Sequence, residues 1–311
     1  MPFFSIIIPL YNKEKYIKDT LNSILSQTFN DFEIIIIDDG STDNSFKIAS
    51  EFKDERIQII RQNNTGVSIA RNNGIKVSKG KYIALLDADD TWYTNHLYEL
   101  KKLILLFPNA GLFCNNYEVY YNTEFKKAAQ FNFKFNNNCL IVKDYFKASI
   151  INSVAWTSAV AFSKENFYLV GGFKEQFTGA EDLDLWIRFA LKFKTAFNPT
   201  ITMSYKLYVS ESLSKTEFNA MRYDFINNFN YEENLNASLK LYLDINRYAA
   251  ALRSKVNGDI NIYKKLKSEI KYSNLNLKQK ILLNTPRSII KLAKKVQNHL
   301  IKRGIYYTAF K

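Results

Sequence analysis

Three aspartates, Asp87, Asp89 and Asp90, lie within four consecutive residues, directly after an apolar run that ends at Leu86. Carboxylates this close repel one another, so a positive group is needed to offset their charge. A hard divalent ion such as Mg²⁺ or Mn²⁺ takes oxygen ligands and can complete its shell from phosphates and water. A solvated turn or an N-cap for a helix over Thr91–Leu106 would explain the same residues in isolation. The strand-end position favours a metal site.

Two more polar clusters follow apolar runs. Pro9-Leu10-Tyr11-Asn12 follows the first run, and Asp38-Asp39 follows the second. A carboxylate at Asp38 or Asp39 could accept hydrogen bonds from a nucleobase or a ribose. It could instead cap the next helix, for which Ser41 or Thr42 is the predicted N-cap residue. Arg71 suits a phosphate or a base carbonyl, although a lone arginine on a helix is more often simply exposed.

The elements that must position these clusters alternate between strand and helix. We predict strands at Phe4–Ile8 (stopped by Pro9), Phe32–Ile37, Arg56–Ile60 and Tyr82–Leu86, with helices at Lys13–Gln27 and Thr65–Val77. Alternation of this length predicts an α/β fold with a mostly parallel sheet. Ligands of such sheets bind beyond the carboxyl ends of the strands. All three polar clusters should therefore converge on one edge of one sheet.

The second half of the chain is more mixed. We predict strands at Val154–Phe162 and Thr200–Val209 and a helix at Glu181–Lys192. Acidic residues at the start of that helix are explained by its dipole. A general base that deprotonates a sugar hydroxyl also requires a carboxylate at a cleft mouth, and Asp182 is our candidate. From Lys215 the pattern becomes helical and polar, so we place a boundary there.

Six segments together resemble the successive motifs of the family-2 glycosyltransferases. They are SIIIPLYN at 5–12, IDDGSTD at 37–43, NTGVSIARNNG at 64–74, LDADD at 86–90, GGF at 171–173 and EDLDLW at 181–186. The resemblance runs from about Phe3 to about Ser214. It implies a GT-A fold, an inverting mechanism, a nucleotide-diphospho-sugar donor and a divalent cation, Mn²⁺ or Mg²⁺. We predict a catalytic domain over 1–214, with a nucleotide-binding half (1–108) and an acceptor and catalytic half (109–214), followed by a basic helical region over 215–311.

The resemblance also implies roles for individual residues. Asp182 matches the catalytic base, and Asp87 and Asp89 match the metal-binding pair, with Asp87 also able to contact the ribose. The remaining positions are expected to bind the nucleotide-sugar: Pro9, Tyr11, Glu14, Asp39, Arg71, Ala88, Trp156, Gly172 and Glu181.

The chain departs from the family pattern at one place. Members often carry Tyr-Arg-x-His before Ser-Leu-Ser, with the histidine directed at the metal or the diphosphate. Here Tyr208 or Val209 occupies the region of that histidine, within the segment Tyr205–Ser214. We therefore expect the cation to be held by Asp89 together with the donor diphosphate, so that metal and nucleotide bind together.

Composition excludes several classes of protein. Two histidines in 311 residues argue against a histidine metal site or a Ser-His-Asp triad, and Cys114 and Cys139 have no metal-like spacing. The N-terminus lacks the pattern of a signal peptide, and no apolar run approaches the ~20 residues of a membrane span. We expect a cytoplasmic protein. The formal net charge of +13 fits solubility, but also attraction to polyanions or to a membrane.

An amphipathic helix is predicted over Pro286–Lys302. An apolar stripe consists of Ile289, Ala293, Val296 and Leu300, and four lysines lie mostly elsewhere. The helix would either pack on the catalytic domain or attach peripherally to anionic lipid on the inner face of the cell membrane.

The function predicted from all of this is transfer of a sugar, a hexose or N-acetylhexosamine, from a nucleotide-diphospho-sugar, by default a UDP-sugar. The acceptor would be a hydroxyl of a glycan or of a lipid-linked acceptor in cell-surface polysaccharide, capsule or lipopolysaccharide synthesis. A nucleotidyltransferase would need a Gly-rich basic loop after the first strand, which Pro9–Asn12 is not. A nucleic-acid-binding protein is disfavoured by the acidic strand ends. A catalytically idle glycan-binding relative stays open.

Overall fold

The computed structural model describes residues 1–177, 179–209, 219–306 and 308–310. Ten strands among these residues form one mixed sheet. They are β1 Phe4–Leu10, β2 Phe32–Asp38, β3 Ile57–Arg61, β4 Tyr82–Leu85, β5 Thr91–Trp92, β6 Leu112–Tyr120, β7 Lys126–Ala128, β8 Leu140–Val142, β9 Val160–Ser163 and β10 Thr195–Lys206. Their order is β3-β2-β1-β4-β9-β6-β10-β5, with β7 paired to β6 and β8 to β10.

The helices cover the sheet and build the C-terminal region. They are α1 Ile17–Leu25, α2 Ser45–Ser50, α3 Val67–Val77, α4 His96–Leu106, α5 Tyr145–Ala148, α6 Lys164–Leu169, α7 Glu181–Lys192, α8 Asn219–Asn227, α9 Asn230–Leu235, α10 Ala237–Asn257, α11 Ile260–Glu269, α12 Leu277–Asn284 and α13 Arg287–Lys302. No helix of the described ranges is long and apolar enough to cross a membrane.

The predicted α/β fold is confirmed. β1 runs parallel to both β2 and β4, and β2 runs parallel to β3. Isoleucines 34–37 of β2 are fully buried, as expected for a strand covered by helices on both faces. The two predicted halves of the catalytic domain share this sheet, because β4 pairs with β9 of the second half.

Pro9 does not stop the first strand, which continues to Leu10. Pro9 pairs in register with Ile37 of β2. On the opposite edge, β1 pairs with β4 only as far as Ile7. The missing N–H of Pro9 falls beyond the end of that ladder, so the proline costs no hydrogen bond there.

Three other element predictions are wrong in detail. The second helix begins at Ser45 after Asn44, so neither Ser41 nor Thr42 caps it. Thr91–Trp92 forms a short strand against β10, and the helix predicted from Thr91 begins at His96. The strand predicted from Val154 begins only at Val160, because a 3₁₀ turn precedes it.

The later elements are predicted more closely. The helix Glu181–Lys192 is confirmed at both ends. β10 starts five residues before the predicted Thr200 and ends at Lys206. The predicted boundary at Lys215 lies outside the described residues.

The C-terminal helices pack around α10, which also contacts α5 of the catalytic region. A buried charge cluster fixes their arrangement. Arg247 donates to both carboxylate oxygens of Glu233 at 2.7 and 2.9 Å, and to Asp244 at 3.1 Å. Such a buried charge cluster specifies geometry more than it adds stability.

Candidate active site

A cavity of about 880 Å³ lies at the carboxyl ends of β1, β2 and β4 and is bordered by α7 and α8. It brings together the residues predicted for the site, apart from Gly172. They are Pro9, Tyr11, Glu14, Asp39, Arg71, Asp87, Ala88, Asp89, Trp156, Glu181 and Asp182. The convergence of three strand-end clusters on one sheet edge, expected from the alternation of strands and helices, is present.

Asp39 is buried and holds the loop that leads into α3. Its Oδ1 accepts hydrogen bonds from the Thr65 amide at 2.9 Å and from Gln62 Nε2 at 2.8 Å. Its Oδ2 accepts from the Gly66 amide at 2.8 Å. Gly66 has a φ of 95°, a conformation that favours glycine and allows the chain to turn into the helix. Asp39 thus shapes the pocket wall in addition to facing the cavity.

The loop after β1 is tied to the loop after β2. Asn12 Oδ1 accepts from the Thr42 amide at 2.8 Å, and Asn12 itself has a φ of 50°. Glu14 Oε2 accepts from both the amide and the side chain of Asn44, at 3.0 and 2.9 Å. Glu14 therefore orders the pocket rim, while the ring of Tyr11 is 45% exposed at the cavity.

Arg71 is buried and connects two of the acidic motifs. Its guanidinium donates to Asp87 Oδ1 at 2.7 Å and to Glu181 Oε1 at 2.8 Å. Burial alone would lower the pKa of Arg71, but the charges of Asp87 and Glu181 outweigh it and raise that pKa. Burial and the adjacent Asp182 raise the pKa of Glu181, and Arg71 opposes that rise.

The acidic run itself is held from two sides. Thr20 Oγ1, buried on α1, lies 3.0 Å from the Ala88 carbonyl and 2.9 Å from the Asp90 carbonyl. The Asp87 amide donates to Ser158 Oγ at 3.0 Å. Asp90 is buried, and this burial, with the charges of Asp89 and Asp87, raises its pKa well above the usual value. Asp90 is therefore a buried residue that stabilises the loop.

Asp89, the predicted metal ligand, forms an ion pair with Lys13 at 2.8 Å. Its side chain is 16% exposed, and that of Asp87 is 34% exposed. Their oxygens suit Mg²⁺ or Mn²⁺ chemically, but each carboxylate already has a cationic partner. Within the described residues, no group of three or more His, Cys, Asp or Glu side chains could hold a metal. The donor set fits a divalent cation only if phosphates and water supply most of the ligands.

Asp182 begins the first turn of α7. Its Oδ1 accepts from the Leu183 amide at 2.8 Å, and its Oδ2 accepts a long hydrogen bond from Thr157 Oγ1 at 3.3 Å. Ala180, which precedes the helix, has a φ of 70°. This left-handed turn starts α7 at the cavity, where Glu181 is bound to Arg71 and Asp182 remains weakly engaged.

An aromatic wall stands beside Asp182. The ring of Trp156 lies 4.4 Å from that of Tyr205 and 5.2 Å from that of Tyr117. Trp156 and Tyr205 both line the cavity. Flat amphipathic rings of this kind suit the apolar face of a sugar.

Gly172 is not at the cavity. Its φ is 67°, and an added Cβ would lie 3.2 Å from the Phe167 ring, so local geometry explains the glycine. Its carbonyl accepts from Arg188 at 2.7 Å. Of the residues that could replace the family histidine, Val209 is buried and Tyr208 is 38% exposed. The following Ser210–Ser214 segment lies outside the described residues.

Sequence reasoning missed several residues at the site. Lys13 and Thr157 touch the predicted acids directly, and Ser158 holds the loop amide. Lys13 directly follows a cluster that was singled out, so its position was a usable signal. Arg222 of α8 also lines the cavity. No pattern in a polar helix distinguished it.

This chain is similar in sequence to bacterial proteins that are named glycosyltransferases. The chain is 39% identical over 142 residues to the E. coli protein named UDP-Glc:alpha-D-GlcNAc-diphosphoundecaprenol beta-1,3-glucosyltransferase WfaP, covering 40% of this chain and 57% of WfaP. It is 47% identical over 92 residues to the uncharacterized glycosyltransferase EpsJ of Bacillus subtilis, covering 29% of this chain and 27% of EpsJ. The chain thus matches less than two thirds of the length of these relatives.

A solved structure shares the fold. The crystal structure of S. aureus TarS 1-349 in complex with UDP-GlcNAc superposes with a TM-score of 0.68 at 18% identity, covering 98% of this chain and 93% of that one. This likeness agrees with the expected GT-A fold. The family model described as Glycosyl transferase family 2 matches residues 5–169 of the 311. Five of the six motifs also contribute residues to one cavity, and the chain belongs to glycosyl transferase family 2.

Proposed function

We propose that this protein transfers a sugar from a nucleotide-diphospho-sugar to a hydroxyl group of a glycan or lipid-linked acceptor, with inversion at the anomeric carbon. The observation that carries the proposal is one cavity lined by Asp39, Asp87, Asp89 and Asp182. Three of these acids come from the ends of parallel strands and the fourth from α7. This arrangement can place a donor and an acceptor against each other.

The donor would lie across the strand ends. Pro9, Tyr11 and Asp39 would contact the nucleoside, and Asp87 the ribose. Asp89, with Asp87, would hold a divalent cation that also binds the diphosphate. When bound, such a cation offsets negative charge on the leaving diphosphate. Lys13 forms an ion pair with Asp89 at 2.8 Å, so a cation at Asp89 would compete with this lysine, which fits a cation that the diphosphate helps to bind.

Asp182 would act as the general base. The acceptor hydroxyl loses its proton to Asp182 as its oxygen forms a bond to the anomeric carbon, and the bond from that carbon to the diphosphate oxygen breaks. Glu181 is less suited, because Arg71 occupies its Oε1 at 2.8 Å. The weak 3.3 Å contact from Thr157 leaves Asp182 Oδ2 able to accept a proton.

The names of relatives suggest the substrates. WfaP is named as acting on UDP-Glc and on an acceptor in which N-acetylglucosamine is joined through a diphosphate to undecaprenol, and so is E. coli WfgD, 39% identical over 120 residues. We propose a UDP-hexose or UDP-N-acetylhexosamine donor for this chain. A lipid-linked acceptor would place the reaction at the cytoplasmic face of the membrane, in the synthesis of cell-surface polysaccharide.

A thermal-shift screen of nucleotide-sugars tests the proposal. Each nucleotide-sugar is added to the full chain with and without Mn²⁺. We expect a donor-specific rise in Tm that requires the cation, because binding to the folded state alone stabilises it. If no nucleotide-sugar raises Tm under either condition, the proposed donor class is rejected.

We propose in addition that α13 attaches the protein to anionic lipid. Ile290 on one face of the helix is buried. On another face, Ile289, Leu292 and Val296 are 54%, 62% and 51% exposed. Exposed lysines lie at 291, 294 and 295. The sequence contains no Asp or Glu after Glu269 but ten Lys and Arg residues. An exposed apolar stripe within a purely basic segment suits the surface of a negatively charged bilayer.

Vesicle sedimentation at low salt tests this attachment. We expect the full chain to pellet with phosphatidylglycerol vesicles and not with phosphatidylcholine vesicles. Changing Lys291, Lys294 and Lys295 to Gln should weaken binding by roughly 3 kcal/mol, at ~1 kcal/mol per lysine. Changing the exposed lysines 18, 53 and 264 to Gln makes the same change in net charge elsewhere and should weaken binding less. A wild-type protein that stays in the supernatant would reject the attachment.

A further inference from the structure

One arginine in the cavity comes from the C-terminal helices and is outside the set of family motifs. Arg222 lies on α8 and lines the cavity beside Trp156, Thr157, Asp182 and Tyr205. It therefore stands on the side where the acceptor must enter, next to the candidate base.

The ion pairing of Arg222 differs from that of Arg71 and Arg247, the two buried arginines of the described residues. Arg71 donates to two carboxylates, and Arg247 donates to both oxygens of Glu233. Among the described residues, Arg222 forms no such ion pair, and its Nε, like those of Arg71 and Arg247, is buried without a hydrogen-bond partner. A buried charged donor without an acceptor is costly, so a bound anion would complete this site.

The charges nearest to Arg222 act on its pKa in opposite directions, and the lowering effects are the larger ones. Burial lowers the pKa of Arg222 and the positive charge of Arg253 lowers it further, while Asp182 and Glu181 raise it. Two guanidinium groups near each other repel, and an anion between them or beside them would relieve that repulsion. Glu181 is already bound to Arg71, which limits what it can offer Arg222.

We propose that Arg222 binds a phosphate oxyanion at the acceptor side of the cavity. The inference rests on the proposed function, since it takes the cavity to be the site of donor and acceptor. A planar guanidinium offers two parallel donors that match phosphate oxygens. The phosphate has two sources. It belongs either to the diphosphate of the donor or to a phosphate that links the acceptor sugar to its carrier.

Calorimetry with UDP and with inorganic pyrophosphate tests the proposal on the full chain. Pyrophosphate is titrated into the protein alone and into protein saturated with UDP. The variants are Arg222→Gln, Arg222→Lys, and Lys264→Gln, which removes one exposed positive charge outside the cavity. Thermal unfolding of each variant checks that it is folded.

Each source gives its own result. If the phosphate is the acceptor's, Arg222→Gln weakens pyrophosphate binding to UDP-saturated protein about tenfold and leaves UDP affinity unchanged. If it is the donor's, Arg222→Gln weakens UDP binding about tenfold. In either case the affinity of Arg222→Lys should lie between those of wild type and Arg222→Gln, because lysine keeps the positive charge but lacks the two parallel N–H donors of the guanidinium.

The proposal is overturned if Arg222→Gln and Arg222→Lys bind UDP and pyrophosphate as wild type and Lys264→Gln do. Wild-type protein that fails to bind UDP would instead reject the proposed function. In that case the titration of pyrophosphate into protein without UDP still reports on Arg222. The two failures are therefore distinguishable.

Discussion

The two sides of the cavity differ in how their polar groups are satisfied. On the side formed by the strand ends, Asp39 accepts two backbone amides, Asp87 is bound to Arg71, and Asp89 is bound to Lys13. On the side formed by α7 and α8, Asp182 accepts the Leu183 amide at Oδ1, and its Oδ2 has only one long side-chain contact at 3.3 Å. There Arg222 forms no ion pair with the described residues, whereas Arg71 on the other side forms two.

Under the proposed function, the donor would meet side chains that are already paired within the protein. The acceptor would meet side chains that still have hydrogen-bonding capacity. Groups that are oriented before the ligand arrives need no reorganisation when charge develops on the donor diphosphate. Under the proposed function, groups on the other side accept a proton or bind an anion, which fits their weaker engagement within the protein. We infer that the donor side is built for rigidity and the acceptor side for chemistry.

On the strand-end side of the cavity, removing Arg71 should have the largest effect on the free energy of unfolding. Arg71→Met leaves Asp87 and Glu181 without their shared cation. We expect the free energy of unfolding to fall by roughly 3–5 kcal/mol, the usual cost of removing one partner of a buried pair. Urea unfolding of the wild type and the variant measures this loss.

Arg56→Met provides the matched control for that experiment. Arg56 pairs with Asp54 on the surface, where the side chains are 25% and 24% exposed. Its loss should cost no more than about 1 kcal/mol. Equal losses from the two variants would contradict the view that Arg71 organises the site.

Much of the donor side could be predicted from sequence because its signals are local. Strand-end placement and motif order identified Asp39, Arg71, Asp87 and Asp89, and they line one cavity. The partners of these residues were harder to find. Ser158, for example, meets the Asp87 amide from 71 residues away in sequence. Contacts over such separations depend on the register of the sheet.

The acceptor side was less predictable for the same reason. Asp182 was chosen as the candidate base because it follows a glycine-rich segment at the start of a helix and matches a family motif. Arg222 belongs to a helix whose spacing gave no sign that one side chain enters the cavity. Gly172 shows the opposite error: its glycine is explained by a φ of 67° and by contact with Phe167, without a ligand.

His96 provides a comparison from outside the cavity, because its Nε2 is also a buried polar atom without a hydrogen-bond partner among the described residues. It is buried, stacks on Trp92 at 4.2 Å, and is hydrogen-bonded to Thr202 through Nδ1, while Nε2 has no partner in the described part of the chain. Burial lowers its pKa from 6.5 to about 3. At a pH between about 3 and 6.5, His96 therefore binds a proton in the unfolded chain but not in the folded chain.

The stability supplied by this neutral histidine is therefore complete above pH 6.5 and is lost as the pH falls. We expect wild-type unfolding free energy to drop by about 2 kcal/mol more than that of His96→Gln between pH 7 and pH 5. Urea unfolding at both pH values measures the difference. Parallel curves for the two proteins would show that His96 is not held neutral.

Lys13→Met should have the smallest of these effects, a change in Mn²⁺ affinity on the strand-end side of the cavity. Without the ion pair at 2.8 Å, Asp89 should bind Mn²⁺ more readily in the absence of nucleotide. We expect the affinity for Mn²⁺ to rise about fivefold, a gain on the order of 1 kcal/mol. Lys15→Met, at an exposed lysine that also lines the cavity, is the matched control. Equal Mn²⁺ affinity in wild type and Lys13→Met would show that Lys13 does not compete with the cation for Asp89.

The most direct test of the central claim compares Asp182→Asn with wild type in two assays on the same preparations. One measures transfer from the donor found in the nucleotide-sugar screen, and the other measures UDP binding with Mn²⁺. We predict that transfer falls at least about 100-fold, the contribution of a general base, while UDP affinity stays within about twofold. Asp19→Asn, at an exposed acid of α1, should change neither quantity. Full transfer activity in Asp182→Asn would contradict the assignment of Asp182 as the base.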